Sequence, residues 1–205
     1  SKIMSNEQQI WNRLLEEIGN EYGVAGLMGN LYAESGLNPK NLENAYEESL
    51  GYTDESYTNA VSNGTYTKEQ FVNDKAGYGW AQWTFSSRKE TLNNRFVNGP
   101  CESIGELVRQ LNYLLYELEY VYPSVMQVLK NATSVRIASD KVLHDFENPK
   151  DQSLAVEVYR ASLGQGYYNK YATGSGGGDT PGGTTTKKRK GYNFVLFNKR
   201  RRIYG

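Results

Sequence analysis

The sequence contains one cysteine and one histidine in 205 residues, and this scarcity excludes whole classes of site. With Cys101 as its only cysteine, the chain cannot form an internal disulfide bond. With His144 as its only histidine, it cannot build a zinc site of the HExxH type or any site that needs paired histidines. We therefore expect no metal site of these kinds.

Long apolar runs are also missing. No stretch approaches the roughly 18 consecutive apolar residues that a membrane-spanning helix needs. The first residues, SKIMSNEQQIW, lack the apolar segment of a secretory signal peptide. We expect neither a transmembrane segment nor a signal peptide, so work outside a cell would require another route of delivery.

The net charge of zero hides a segregation of charge along the chain. Residues 187–205 carry eight Lys or Arg and no acid, which leaves 15 basic residues against 23 acidic ones in residues 1–186, a balance of −8. The stretch YATGSGGGDTPGGTTT, residues 171–186, has the composition of a flexible linker. We predict a domain over 1–171, a Gly/Thr-rich linker over 172–186 and a basic tail over 187–205.

Apolar residues at helical spacing predict a mainly α fold. Ser5 and Gln8 form a possible capping box at the start of a helix that runs to about Tyr22. Further helices are predicted over 23–34, 54–61, 68–73, 87–96, 103–118, 123–131, 134–147 and 151–163. Residues 36–76 form a polar, aromatic-rich insertion, and AGYGWAQWT at 76–84 predicts a turn or small β-hairpin. The predicted fold is therefore helical, with a small β region beside a cleft.

Glu34, in GLMGNLYAESGLNP, is the first candidate for chemistry. Leu27, Leu31 and Glu34 lie on one side of a predicted helix, which ends at the Ser35-Gly36 stop signal. Apolar surroundings and a helix C-terminus both favour the protonated carboxyl, as a general acid requires. The alternative is a solvated glutamate at a frayed helix end.

Aromatic residues suggest a cleft that binds sugars. The chain has 17 Tyr, whose rings can stack on sugar faces while their phenols bond to hydroxyl groups. Tyr78, Trp80 and Trp83 lie in a glycine-flanked turn, and we expect at least one of them to face a ligand. The alternative is that these rings fill the core.

Three motifs in order carry a resemblance to a known family. AESGLNP, GYGWAQWT and VYRASLGQG resemble the signatures of the lysozyme superfamily branch that holds goose-type lysozymes and lytic transglycosylases. The long insertion and the spelling GYGWAQWT…SRK are most similar to the phage tail lysozyme family, over roughly residues 5–171. The resemblance implies an α+β lysozyme-like fold and a place in a phage tail or at the host cell wall.

The resemblance also implies roles for particular residues. Glu34 would be the catalytic acid, and Tyr159 would match a tyrosine that contacts it. The implied substrate-binding residues are Ser35, Tyr78, Gln82, Trp83 and Tyr159. The chain departs from the family pattern at Arg160, where Asn is usual, and at Ser162, where Gly is usual.

A second carboxylate is harder to choose. Inverting hydrolases place a base roughly 6.5–9.5 Å from the acid, and retaining ones place a nucleophile at about 5 Å. Asp74 is the first choice because goose-type lysozymes place an aspartate near this point, and the further candidates are Asp54, Glu47, Glu48 and Glu55. Each of them also suits a solvated loop acid. Without a second carboxylate, the expected reaction is lytic transglycosylation with an anhydro product.

Other candidates are weaker. Glu147, in HDFENP, follows an apolar stripe and precedes Asn148-Pro149, which favours a structural role at a helix end. Cys101 and His144 would suit a cysteine peptidase. However, His144 falls inside a predicted helix and no oxyanion motif surrounds NGPCES, so we disfavour that activity.

The resemblance implies a muramidase that cleaves the β-1,4 bond between N-acetylmuramic acid and N-acetylglucosamine in peptidoglycan. Acid catalysis by Glu34 needs no cofactor. The alternative from another class is a non-catalytic, wall-binding phage tail module. The basic tail suits anionic cell-wall polymers best, other phage tail proteins or self-association are open, and no nucleic-acid partner is expected. The oligomeric state is not predicted.

Overall fold

Ten α-helices and two π-helical segments make up residues 3–173, which are the residues that the computed structural model describes. The π-helical segments are Glu117–Val121, directly after α7, and Leu143–Glu147, directly after α9. The helices are α1 (Asn6–Ile18), α2 (Glu21–Ser35), α3 (Asn44–Leu50), α4 (Asp54–Asn63), α5 (Lys68–Asn73), α6 (Ser86–Val97), α7 (Leu107–Tyr116), α8 (Pro123–Asn131), α9 (Val135–Val142) and α10 (Leu154–Tyr171).

The predicted mainly α class is confirmed, although several helix ends differ from the prediction. Ser5 caps α1 by accepting a hydrogen bond from the Gln8 backbone, but the helix stops at Ile18 because Gly19 adopts a left-handed conformation with φ 70°. The last helix continues past the predicted end at 163 to Tyr171. None of the described helices is long and apolar enough to cross a membrane. The basic tail, and all of the predicted linker beyond Thr173, lie outside the described residues.

The predicted β-hairpin is reduced to isolated pairing. Within residues 3–173 the extended pairing consists of two antiparallel bridges, Leu42 with Tyr78 and Tyr78 with Trp83. Tyr78 and Trp83 exchange two backbone hydrogen bonds of 3.0 Å and so close the turn between them. This turn connects the helical insertion of residues 44–73 to α6.

Helix α2 is the centre of the domain and packs most extensively against α10. Every residue from Gly23 to Leu31 is buried. At Gly29 the two backbones touch, since a Cβ there would lie 2.5 Å from the Gly164 nitrogen and 2.6 Å from the Arg160 carbonyl oxygen. This contact sets the position of Arg160 relative to the last turn of α2.

We therefore expect Gly29→Ala to destabilise the fold, because neither backbone can move away without shifting a whole helix. The expected loss in the free energy of unfolding is about 1–3 kcal/mol, measured by urea denaturation. Gly166→Ala on α10 is the matched control, since a Cβ there meets nothing within 4 Å. The control is expected to be neutral or stabilising by up to about 1 kcal/mol. Equal stability of the two variants would contradict this account of the packing.

A buried ion pair holds the insertion to α6. Lys89 is fully buried, with Nζ 2.5 Å from Asp74 Oδ1 and 2.8 Å from the Ala76 carbonyl oxygen. Tyr57 donates a 2.5 Å hydrogen bond to the other Asp74 oxygen. The exposed fraction of the Asp74 side chain is only 3%. Each charge is therefore compensated inside the core, as buried ions require.

Asp74→Asn is expected to cost about 3–5 kcal/mol of unfolding free energy, because it leaves the Lys89 ammonium buried without a counter-charge. The double variant Asp74→Asn/Lys89→Met removes both charges and should recover part of that loss. Urea denaturation of the wild type and the two variants measures both effects. A double variant no more stable than Asp74→Asn would show that the ion pair is not the cause.

Candidate active site

A cavity of about 890 Å³ opens at the C-terminal end of α2. Its wall is formed by the end of α2, the start of α3, parts of the segment 75–88 and residues 147–150. Three carboxylate side chains line it: Glu34, Glu43 and Glu147. Two of these three were not among the residues that the sequence proposed for catalysis.

Glu34 lies in the last turn of α2, as predicted. The helix ends there because Gly36 takes a left-handed conformation with φ 61° and donates to the Tyr32 carbonyl oxygen. The exposed fraction of the Glu34 side chain is 18%, and its Oε1 lies 2.6 Å from Arg160 Nη2. The Arg160 guanidinium is therefore the charged partner of Glu34, a contact that no local pattern in the sequence predicted.

Arg160 is itself fixed by a buried amide. Its Nη1 donates to Asn30 Oδ1 over 3.3 Å. The Asn30 side chain is fully buried and donates to the Gly26 carbonyl at 3.0 Å and to the Ser139 carbonyl at 3.1 Å. Asn30 on α2, itself fixed by Ser139 on α9, therefore positions the guanidinium, whose Nη2 contacts Glu34.

Glu43 is the carboxylate that the sequence analysis missed entirely. Its Oε2 accepts a 2.9 Å hydrogen bond from the Gly77 backbone, and its own backbone donates to the Gly77 carbonyl at 2.8 Å. A Cβ at Gly77 would lie 2.7 Å from Gln82 Oε1 and 3.3 Å from Glu43 Oε2. These contacts join residues 34 positions apart in a stretch without periodicity, so no local signal marked Glu43.

Ser35 and Gln82 both lie in the cavity wall, and their role in substrate binding stays a prediction. Gln82 has a left-handed backbone with φ 53°, and its side-chain amide donates to the Asn41 and Gly79 carbonyls at 3.0 and 2.9 Å. Ser35 donates a 2.6 Å hydrogen bond to the Trp80 carbonyl. Both side chains hold the 79–83 turn in place beside Glu34.

The expectation that Tyr78, Trp80 or Trp83 faces a ligand is wrong, because all three are fully buried and none lines the cavity. The Tyr78 hydroxyl is 2.7 Å from Thr58 Oγ1, and Trp83 Nε1 donates to Glu117 over 2.6 Å. These rings instead fix the turn from within. The aromatic side chains in the wall are Tyr46 and Phe85, and Phe85 is 69% exposed.

Tyr159, which the resemblance placed in contact with Glu34, faces water. The exposed fraction of Tyr159 is 55%, and it does not line the cavity. The next residue on α10, Arg160, contacts Glu34 instead. The departure from the family pattern at Arg160 is therefore located at the candidate catalytic acid itself.

The other acids proposed as a second carboxylate lie outside the cavity wall. Asp74 is buried and forms an ion pair with Lys89. Asp54 accepts a 2.9 Å hydrogen bond from the Leu42 backbone, and Glu55 pairs with Lys40. Glu47 and Glu48 belong to α3 and also do not line the cavity.

Glu147 ends the second π-helical segment and reaches the cavity wall. Its Oε1 is buried and has no hydrogen-bond partner among the described residues. Burial raises the pKa of the Glu147 carboxyl well above its ordinary value of 4.5, and the charge of Glu34 raises it further. The sequence carried the relevant signal, since Glu147 resembles Glu34 as an acid on an apolar stripe beside a helix stop.

Cys101 and His144 do not line the cavity. Cys101 Sγ lies 3.1 Å from Arg109 Nε, while His144 contacts Gln152 and Glu157. Among residues 3–173, no group of three or more His, Cys, Asp or Glu side chains is placed to hold a metal ion. The wall of the cavity thus offers carboxylates, the cations of Lys75, Arg88 and Lys150, hydroxyls, amides and two aromatic rings as its chemical groups.

Comparison with known proteins gives a family match. No curated protein and no solved structure matches the chain. The family model described as phage tail lysozyme matches residues 5–171, which include every element of the cavity. The chain therefore belongs to the phage tail lysozyme family, and its function is of the phage lysozyme type, directed at peptidoglycan.

Proposed function

We propose that this protein is a muramidase, which hydrolyses the β-1,4 bond between N-acetylmuramic acid and N-acetylglucosamine with Glu34 as the general acid. The observation that carries the proposal is the position of Glu34. It is a mostly buried carboxylate at a helix end, in the wall of a cavity that also holds a second carboxylate, Glu43. Glycoside hydrolysis uses such a pair of acids.

Glu34 gives its proton to the glycosidic oxygen as the bond to the anomeric carbon breaks. The anomeric carbon then develops positive charge, which a nearby carboxylate stabilises. The leaving sugar departs with a free hydroxyl group. In this step the protein has to hold the sugar with its glycosidic oxygen within hydrogen-bond reach of Glu34.

Glu43 is the proposed second carboxylate in place of Asp74. Its Oε2 is anchored by the Gly77 N–H, while the side chain still borders the cavity. As a carboxylate it can take a proton from the attacking water or stabilise the developing cation. Its presence favours hydrolysis over lytic transglycosylation, because transglycosylation needs no second carboxylate.

Substrate binding is assigned to the exposed parts of the wall. Phe85 and Tyr46 provide ring faces for apolar sugar surfaces, and polar groups in the wall meet hydroxyl and acetamido groups. Gln82, fixed by two carbonyls, presents Oε1 near Glu43. The expected setting is the bacterial wall, reached from a phage tail or after release. Wall-polymer binding by the basic tail stays a prediction.

Glu34→Gln is expected to abolish glycan cleavage, with a loss of at least about 100-fold, because the amide cannot donate the acid proton. The measurement is mass spectrometry of muropeptides released from purified Gram-positive walls, after borohydride reduction. Reducible muramic acid ends from the wild type identify a hydrolase, and anhydro ends identify a transglycosylase. Glu48→Gln, an exposed change on α3, is the matched control and should keep activity.

If the wild type releases nothing from several wall types, the muramidase proposal is wrong. Wall pelleting with the same proteins then tests the non-catalytic alternative. Equal binding by the wild type and Glu34→Gln would make wall binding the function of this domain.

Glu43→Gln is expected to lower the rate of muropeptide release by about 100-fold or more while the protein stays folded. Gln keeps an oxygen that can accept the Gly77 hydrogen bond, so the local structure should survive. Asp74→Asn, assayed well below its unfolding transition, should keep most of its activity. The reverse result, an active Glu43→Gln and an inactive folded Asp74→Asn, would return the second carboxylate to Asp74.

A further inference from the structure

Three carboxylates and two guanidinium groups face one another beside the cavity, so the group has one acid too many. Glu34, Glu117 and Glu147 are the acids, and Arg88 and Arg160 are the cations. They come from five elements of the fold: α2, α6, α10 and the two π-helical segments. With all five ionised, the cluster would carry one uncompensated negative charge.

The contacts show which acid lacks a counter-charge. Arg160 is paired with Glu34 at 2.6 Å. Arg88 donates hydrogen bonds to both carboxylate oxygens of Glu117, from Nε at 2.8 Å and from Nη2 at 2.9 Å. Both guanidinium groups therefore already have a carboxylate partner. The Oε1 atoms of Glu34 and Glu147 are both buried without a hydrogen-bond partner among the described residues, but Glu34 has its ion pair with Arg160, whereas Glu147 takes part in no ion pair among residues 3–173.

Glu117 and Glu147 are both positioned in this cluster by π-helical segments. Glu117 is the first residue of one π-helical segment and Glu147 the last residue of the other. A π-helical turn inserts an extra residue and redirects side chains, and it often occurs at functional sites. The second segment is closed by Asn148, which adopts a left-handed φ of 47° and donates to the Leu143 carbonyl at 2.8 Å.

A buried carboxylate without a partner is far costlier as an anion than as a neutral acid. The same conclusion follows from the groups that face Glu147. Burial and the negative charges of Glu34 and Glu117 raise its pKa, and the partial opposition of Arg88 and Arg160 does not reverse that direction. The spare proton of the cluster therefore has its lowest free energy on Glu147.

We propose that Glu147 is a positioning residue for the acid proton, which it shares with Glu34 across the wall of the cavity. Before a sugar binds, the proton rests on Glu147, and Glu34 contacts Arg160. The proposal rests on the proposed role of Glu34 as the acid. It assigns a function to a glutamate that the sequence placed at a structural helix end.

The sharing has a defined sequence of proton positions. When a sugar covers Glu34 and removes its contact with water, the charged form of Glu34 is disfavoured and the proton moves from Glu147 to Glu34. It then passes to the glycosidic oxygen as the bond breaks. The attacking water gives a proton to Glu43, which releases it to solvent, and the pair takes up one proton from solvent, so that the pair again holds one proton after each turnover. The active enzyme is therefore the form in which the two carboxyls hold one proton.

The first test is the pH dependence of muropeptide release at low substrate, compared between the wild type and Glu147→Gln. Gln keeps the neutral shape but cannot hold the proton. The variant therefore lacks the carboxyl whose burial raises its pKa, so the proton is lost at lower pH. We expect the alkaline limb of the rate profile to move to lower pH by about one unit or more.

Glu119→Gln, an exposed change in the other π-helical segment, is the matched control and should leave the profile in place. A purely structural role of Glu147 would lower the rate at every pH without moving either limb. Coincident limbs in the wild type and Glu147→Gln would overturn the proposal.

The second test does not depend on activity. Because the folded chain keeps a proton on Glu147 that the unfolded chain releases near its ordinary pKa of 4.5, wild-type stability should fall as pH rises above that value. Urea denaturation across this range should show that fall relative to Glu147→Gln. In Glu34→Gln, where the neighbouring charge is gone, the fall should be smaller.

These outcomes separate the two proposals. A wild type that releases no muropeptides but loses stability with pH, relative to Glu147→Gln, would refute the muramidase and retain the shared proton. A difference in unfolding free energy that stays constant with pH would overturn the shared proton, whatever the activity. If Glu147→Gln does not fold, the comparison of wild type with Glu34→Gln decides alone.

Discussion

The backbone contact between α2 and α10 at Gly29 and Gly164 is the constraint on which the cavity depends. A side chain at Gly29 would collide with the backbone of α10, so the two helices approach only because the residue is glycine. This approach brings the inward face of α10 to the last turns of α2. Arg160 then reaches Glu34 from one side and Asn30 from the other. The electrostatics of the candidate acid thus follow from a packing contact.

Charge pairing around the cavity then divides the carboxylates into different kinds. Glu117 is fully buried and held by Arg88 and the Trp83 indole, so it acts as a fixed anion that orients the turn and α6. Glu34 has a guanidinium on one side and the cavity on the other. The Oε1 atoms of Glu34 and Glu147 are both buried without a hydrogen-bond partner, but of the two only Glu34 has an ion-pair partner among the described residues. Two carboxyls with environments this different are the arrangement in which one donates a proton and the other holds it.

Local patterns in the sequence predicted the helices and the position of Glu34, since both depend on neighbours within a turn or two. Ser5, the glycine stops and the apolar stripes belong to this class. The position of the proposed second carboxylate depends on contacts that no local pattern reports. Glu43 reaches the cavity through a pairing with Gly77, and Asp74 is removed from it by a lysine fifteen positions away. The sequence therefore favoured an aspartate whose charge the core already uses.

The aromatic residues were assigned wrongly for a related physical reason. The turn at 76–84 is rich in glycine and aromatic residues, a composition that suits either an exposed binding loop or a loop pinned by its rings. Whether a ring points inward depends on whether the interior offers a hydrogen-bond partner for its polar group. The Tyr78 hydroxyl forms a hydrogen bond with Thr58, and the Trp83 indole donates to Glu117, so both rings are buried. The exposed aromatic residue is instead Phe85, at the start of α6. Arg160 shows the opposite case, in which a charged side chain is buried. Glu34 pairs with its charge and Asn30 accepts a hydrogen bond from it, while the neighbouring Tyr159 faces water.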